Sequence, residues 1–157
     1  GDIFLSSNNV VADKKTLGVL TIAGGLFFAV GHVIYVVWLL RFVEGFNYYT
    51  LFAVFGMPAL FVVLSLLKVM KAGKITPLVT LYAAFLGTML MGAINVYVFL
   101  SPEKIASLIL AGGILFTTSD LVLAYYNFGH TEQTKVKYIY MTTYYAAQIL
   151  FALTLLY

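Results

Sequence analysis

Residues 110–128 read LAGGILFTTSDLVLAYYNF, an apolar run long enough to cross a bilayer with a carboxylate, Asp120, near its middle. An ionised aspartate at the centre of a membrane helix costs at least about 2.5–3.5 kcal/mol on insertion scales, so it marks a function or a buried polar partner. Gly113, Thr117, Asp120, Ala124 and Asn127 recur at steps of four and three and share one helix face. Leu110, Ile114, Leu121 and Val122 point elsewhere. The small, polar stripe is the face for neighbouring helices, because small residues let backbones approach closely. The chemistry open to a carboxyl group in such a place is proton transfer. Withdrawal from water favours the protonated form of a carboxyl group, and a second carboxylate nearby favours it further. Two such groups then divide into a neutral donor and an anion.

A second carboxylate, Asp2, stands in GDIFL at the start of the chain. His32 lies on a stripe with Gly25, Phe28 and Tyr35, and Tyr145 and Gln148 lie on one with Met141 and Ala152, with Tyr144 beside Gln148. Thr80, Ala84, Gly87, Met91 and Asn95 form another. Each polar residue also has a structural reading. Asp120 can serve as an interhelical hydrogen-bond partner, Asp2 as an interfacial or capping residue, and His32 as a packing histidine. Gln148 and Asn95 can be hydrogen bonds between helices, and YIYMTTYYAAQ an aromatic belt with packing.

The elements that must position these residues follow from composition. Of the 157 residues 62% are hydrophobic and only 10% charged, and the mean hydropathy is +1.00. A soluble domain is about half apolar and a quarter charged, so the composition is that of a polytopic membrane protein. Five apolar runs reach the roughly 20 residues of a crossing: Leu17–Leu40, Tyr48–Leu67, Thr76–Leu100, Ile105–Asn127 and Tyr138–Tyr157. The predicted fold is all-α, a single transmembrane helical domain over 1–157, with GDIFL as the tail of a further helix whose earlier part is expected to be missing. Short polar loops join the runs. Lys14, Lys15, Lys68, Lys71, Lys74, Lys135 and Lys137 fall in the odd loops, against Arg41 and Lys104 in the even ones. The odd loops are therefore expected to be cytoplasmic.

At about 1.5 Å per residue, Asp120 lies roughly 10 Å from the cytoplasmic end of its helix, Tyr145 about 12 Å and Gln148 roughly 16 Å. Asp2 comes out about 5–8 Å deep and His32 roughly 24 Å. Asp2, Asp120, Tyr145 and Gln148 are thus expected in one layer, which His32 fits less well.

Several classes fall away. The net charge of +3 is spread over short loops, with no basic stripe for nucleic acid. There is no cysteine for a disulfide, a thiolate nucleophile or a cysteine-zinc site. A nucleophilic serine would want G-x-S-x-G, which is absent. A ceramidase-type zinc hydrolase would want about three ligands, mostly histidines. Here only His32 is in a helix, with His130 in a loop. A non-enzymatic lipid-binding or transport protein using Asp120 as a proton or ion site stays open, although only Pro58 hints at a broken helix.

Four segments taken together resemble the YhhN-like lysoplasmalogenase family: GDIFL at 1–5, GLFFAVGHVIY at 25–35, AGGILFTTSDLVLA at 111–124 and YYAAQIL at 144–150. The family pattern has a Gly-Asp near a helix end and a Phe-rich run before His and Tyr. A small-residue run ending in Phe-x-x-Ser-Asp and a closing Tyr-x-x-Gln helix follow. All four occur in order and cover essentially the whole chain, and Tyr82 matches a tyrosine on an intervening helix. Family members have further helices ahead of the Gly-Asp, expected to lie outside this sequence.

The resemblance implies a multi-pass integral membrane hydrolase of a bacterial inner membrane or a eukaryotic endomembrane. Its substrate would be a lysophospholipid met in the bilayer. It would cleave the vinyl ether bond of lysoplasmalogens to a fatty aldehyde and a glycerophospho-ethanolamine or -choline, with no cofactor and no metal. Asp2 and Asp120 carry over as catalytic residues, with His32, Tyr145, Gln148, Tyr144, Ser119 and Tyr82 in support. The chemistry suits them. Protonation of the vinyl ether β-carbon gives an oxocarbenium ion, which water attacks, and the hemiacetal collapses to an aldehyde. Glycosidases divide two carboxyl groups around the same kind of cation. Asp120 is expected to be the acid, and Asp2 the anion that stabilises the cation and orients water. Asp120 is preferred because it lies deeper, and the assignment could be swapped.

Overall fold

The structure, a computed structural model, describes residues 14–42, 49–100, 103–129 and 134–157. Asp2 with its GDIFL segment, Glu44 and His130 lie outside the described residues. The elements are α1 Lys14–Leu39, α2 Tyr49–Leu66, α3 Thr76–Leu100, α4 Lys104–Phe128 and α5 Thr134–Leu153. Short 3-10 turns at Gly73–Ile75 and Thr154–Leu156 precede α3 and close the chain. Among the described residues there is no strand. Four helical segments are long and apolar enough to cross a membrane, Ile22–Leu39, Gly73–Leu100, Lys104–Phe128 and Thr134–Leu156. The described part of α2 contributes a shorter apolar stretch, Val54–Leu66.

These runs stay helical in an apolar setting because their polar groups are satisfied within the helix. Thr80, Thr88, Thr118 and Thr143 each donate a hydroxyl to the carbonyl four residues back, at 2.8 Å. Pro77 falls in the first turn of α3, where a missing N–H leaves no bond unmade. The link from α2 to α3 turns on two left-handed residues, Lys68 and Gly73, each with φ 58°. The Lys71 N–H then donates to the Phe128 carbonyl at 2.6 Å, tying this link to the end of α4.

α3 is the central helix, packed against α1, α2 and α4, while α4 and α5 form the most extensive pair. Close approach is set by glycines. A Cβ on Gly113 would stand 2.8 Å from the Ala93 Cβ, and one on Gly92 2.9 Å from Leu39 Cδ1. On Gly112 it would meet the Phe151 ring at 2.9 Å. Leu86, Met89, Ala93, Val96, Ile109, Phe116 and Ala147 make the buried centre, and Phe61, Met70 and Ala72 a smaller cluster under α2. Outward, Phe27, Val30 and Ile34 on α1 and Phe52, Phe55 and Leu66 on α2 are exposed, as a lipid-facing surface would be.

One stripe is corrected. On α5, Tyr145 and Ala152 face outward, Tyr145 being 53% exposed, while Ala147 and Phe151 are buried. Polarity at Gln148 singled out the wrong face. The inward face is the one whose small residue, Ala147, lets α5 close on α4.

Candidate active site

Asp120 is held in the middle of the bundle at 5% exposure, on the face of α4 that also buries Gly113 and Thr117. From α3, the Tyr82 hydroxyl donates to Asp120 Oδ2 at 2.5 Å. From α1, His32 Nε2 lies 3.5 Å from the same oxygen. His32 is only 1% exposed. Its ring stands edge-on between Tyr82 and Phe116, with centroids 5.0 and 5.2 Å away. Its Nδ1 is 2.7 Å from the Phe28 carbonyl, which can only accept, so Nδ1 carries a hydrogen. That bond fixes the tautomer of the neutral ring and turns the Nε2 lone pair toward Asp120. Nε2 and the Thr117 hydroxyl are the buried polar atoms with no hydrogen-bond partner among the described residues. Unmet polar atoms at such a place suit a site that takes a ligand or water.

The layer expected from depth counting is therefore corrected at His32. It stands about five turns into α1, whereas Tyr82, which it touches, is under two turns into α3. The counting assumed helix ends flush with one membrane face, and α1 starts well ahead of α3. Gln148 lies elsewhere, its Oε1 accepting from the Tyr35 hydroxyl at 3.1 Å. Tyr145 faces out of the bundle. Ser119 is buried beside Asp120 in sequence, but its hydroxyl donates to the Tyr140 carbonyl at 2.8 Å and seams α4 to α5. Tyr144 packs on Phe116 and Phe28, at 5.6 and 6.1 Å between centroids. The structure thus brings together Asp120, Tyr82 and His32, with Tyr144 next to them.

Tyr82 falls two residues off the polar stripe Thr80–Ala84–Gly87 of its helix, so periodicity alone passes over it. Phe116, which seats His32, was hidden as an ordinary apolar residue. Tyr82 was found through the family resemblance, and the sequence signal for Phe116 is its position one turn before Asp120, in Phe-x-x-Ser-Asp.

Two cavities meet at Asp120 and Tyr82. The larger, about 170 Å³, lies among α1, α3 and α4 and is walled by hydrocarbon side chains, Phe28, Phe85 and Leu123 among them. The smaller, about 40 Å³, lies across the pair toward α2, between Phe61, Leu64 and Leu121. Asp120 is the acidic residue of both linings. A carboxyl group held by a phenol, with an imidazole nitrogen beside it, can give a proton to a bound group and regain one. Its surroundings select an apolar partner. Among the described residues no three His, Asp or Glu side chains come together as metal ligands.

Residues 1–155 match the family model of the YhhN family. No match was found among curated proteins or solved structures.

Proposed function

Because the chain belongs to the YhhN family, we propose that it is a membrane hydrolase cleaving the vinyl ether bond of lysoplasmalogens, with Asp120 as general acid. The observation that carries this reading is one buried carboxyl group at the wall of a hydrocarbon-lined cavity, engaged by Tyr82 and His32. An ordinary polar substrate has little to recognise there, whereas a vinyl ether and the carbons next to it fit such a lining.

In the reaction, Asp120 transfers its proton to the β-carbon of the vinyl ether. The α-carbon and ether oxygen become an oxocarbenium ion, and the Asp120 carboxylate left behind offsets that charge. Tyr82 holds Oδ2, so the group delivers its proton from a fixed position. Water adds to the α-carbon and gives up a proton. His32 Nε2, on the Asp120 side of its ring, accepts that proton and returns it to the carboxylate. The hemiacetal then breaks its bond to the glycerol oxygen, which takes the hemiacetal's hydroxyl proton, and an aldehyde leaves. Asp2 keeps the role of second anion, orienting the water.

The test follows the proton. In heavy water the aldehyde should carry one deuterium at its α-carbon, and turnover should fall about twofold or more, since proton transfer to carbon limits the rate. Oxygen from labelled water should appear in the rapidly trapped aldehyde. A saturated ether analogue should not be cleaved. Cleavage of an ester lysophospholipid at a comparable rate would mean an acyl hydrolase instead.

A further inference from the structure

We propose that the larger cavity takes only the head end of a single-chain lipid. The phosphate then lies at Lys71 and Lys74, and the chain leaves sideways into the bilayer between α1 and α3. This rests on the function proposed for Asp120 but concerns how the substrate is held.

The cavity has a direction. Asp120, Leu123, Ala124, Asn127 and Phe128 line it in successive turns of α4, so it runs about 10 Å from the carboxyl group toward the helix end. At that end the Lys71 N–H binds the Phe128 carbonyl. Ile75 lines the wall directly after Lys74. Lys71 and Lys74 are exposed, and no acidic residue lies between Lys68 and Glu103. In a glycerol lysolipid six single bonds separate the phosphorus from the chain's first carbon, a reach of roughly 7 Å by the measure of two extended residues. With the phosphate about 3 Å inside the helix end, where long lysine side chains can still reach it, the reacting carbons come level with Asp120. Long cationic side chains near a helix end suit a lipid phosphate.

The cavity also has a limit. About 170 Å³ is close to the roughly 150 Å³ of an engineered cavity that holds one benzene. A long chain must continue elsewhere, and the 40 Å³ space beyond Tyr82 is too small for it. The remaining route is lateral. α1 touches α3 where Leu39 meets Gly92, whereas a Cβ on Gly25 would have nothing within 4 Å. Leu26 and Leu81 on the cavity rim are 51% and 55% exposed, on the surface that would meet lipid.

Photo-crosslinking with saturated alkyl-ether lysophospholipids tests this, because such probes bind without being cleaved. A diazirine near the ether should label Phe85, Leu123 or Asp120, and one at mid-chain Leu26 or Leu81. One at the chain end should label mainly lipid. Chain-end labelling of Leu123 or Phe85, or of Phe61 and Leu64 in the smaller space, would overturn the proposal. The Lys71→Ala/Lys74→Ala double variant should lose roughly tenfold or more of its labelling by the phosphate-bearing probe, and none by the neutral alkylglycerol ether. Equal loss with both probes, or loss with neither, would remove the phosphate from the lysines. The expected labelling from a protein that cleaves no vinyl ether would refute the reaction and leave the binding mode standing.

Discussion

Asp120 carries two polar contacts on one oxygen, and each makes a separate prediction. Asp120→Asn keeps an acceptor for the Tyr82 hydroxyl, so the protein should insert and fold while activity falls by about 10²–10⁴-fold, the usual worth of a general acid. Most of the turnover surviving would make Asp120 an interhelical hydrogen-bond partner and nothing more. Tyr82→Phe removes a hydrogen bond that becomes charge-assisted as Asp120 gives up its proton, worth about 1.5–3 kcal/mol, and should slow turnover about 10–100-fold. His32→Gln should cost about a hundredfold while deuterium still enters the aldehyde, since the acid itself is intact. The carboxylate was legible in the sequence because a charge in an apolar run needs a reason. Its partners were less so. His32 shared a polar stripe and Tyr82 entered only through the family resemblance, while Phe116 is an ordinary residue for a membrane helix that only the register between helices selects.

That register is a property of pairs of elements, and glycine sets it. Gly113 lets α4 lie against Ala93 of α3, which brings Asp120 to the level of Tyr82 one helical direction reversed. Gly113→Ala should therefore force two Cβ atoms from 2.8 Å apart, at a cost of about 1–3 kcal/mol, and should lower both thermal stability in detergent and activity. Gly31→Ala meets nothing within 4 Å and should be neutral or stabilising by up to about 1 kcal/mol. Equal effects at the two positions would mean that helix propensity, not close packing, governs them. The helices themselves were legible as apolar runs between basic loops, with ends within four residues, α1 beginning three before the expected Leu17 and α5 four before the expected Tyr138. His32 was misplaced because depth along one helix says nothing of where its neighbour begins. The inward face of α5 was misread for a related reason. A polar residue marks the face toward the helix that holds its partner, and Gln148 meets Tyr35 on α1, whereas Ala147 faces α4.

For the molecule as a whole, contacts sort the helix ends into two groups. Lys71 meets Phe128, and Tyr126 stacks near Tyr140 at 5.7 Å, so the Lys68–Lys74 link and the start of α5 share one end. Leu39 meets Gly92, and Lys104 Nζ lies 5.9 Å from the Tyr157 ring, which places the other ends together. Lys68, Lys71, Lys74, Lys135 and Lys137 thus gather at one end, with Arg41 and Lys104 at the other. A bias of this size should fix the lysine-rich end in the cytoplasm. α3, with 25 residues, is about 37 Å long and can cross a core of about 30 Å with some tilt. Because the chain has no cysteine, single cysteines can be placed without background. In oriented membrane vesicles, Lys71→Cys and Lys135→Cys should react with an impermeant maleimide only from the cytoplasmic side, and Lys104→Cys only from the opposite side. Reaction of Lys71→Cys and Lys104→Cys from the same side would show that α3 does not cross. The inverse pattern would keep the bundle but turn it over, and the cavity would then draw its lipid from the other leaflet.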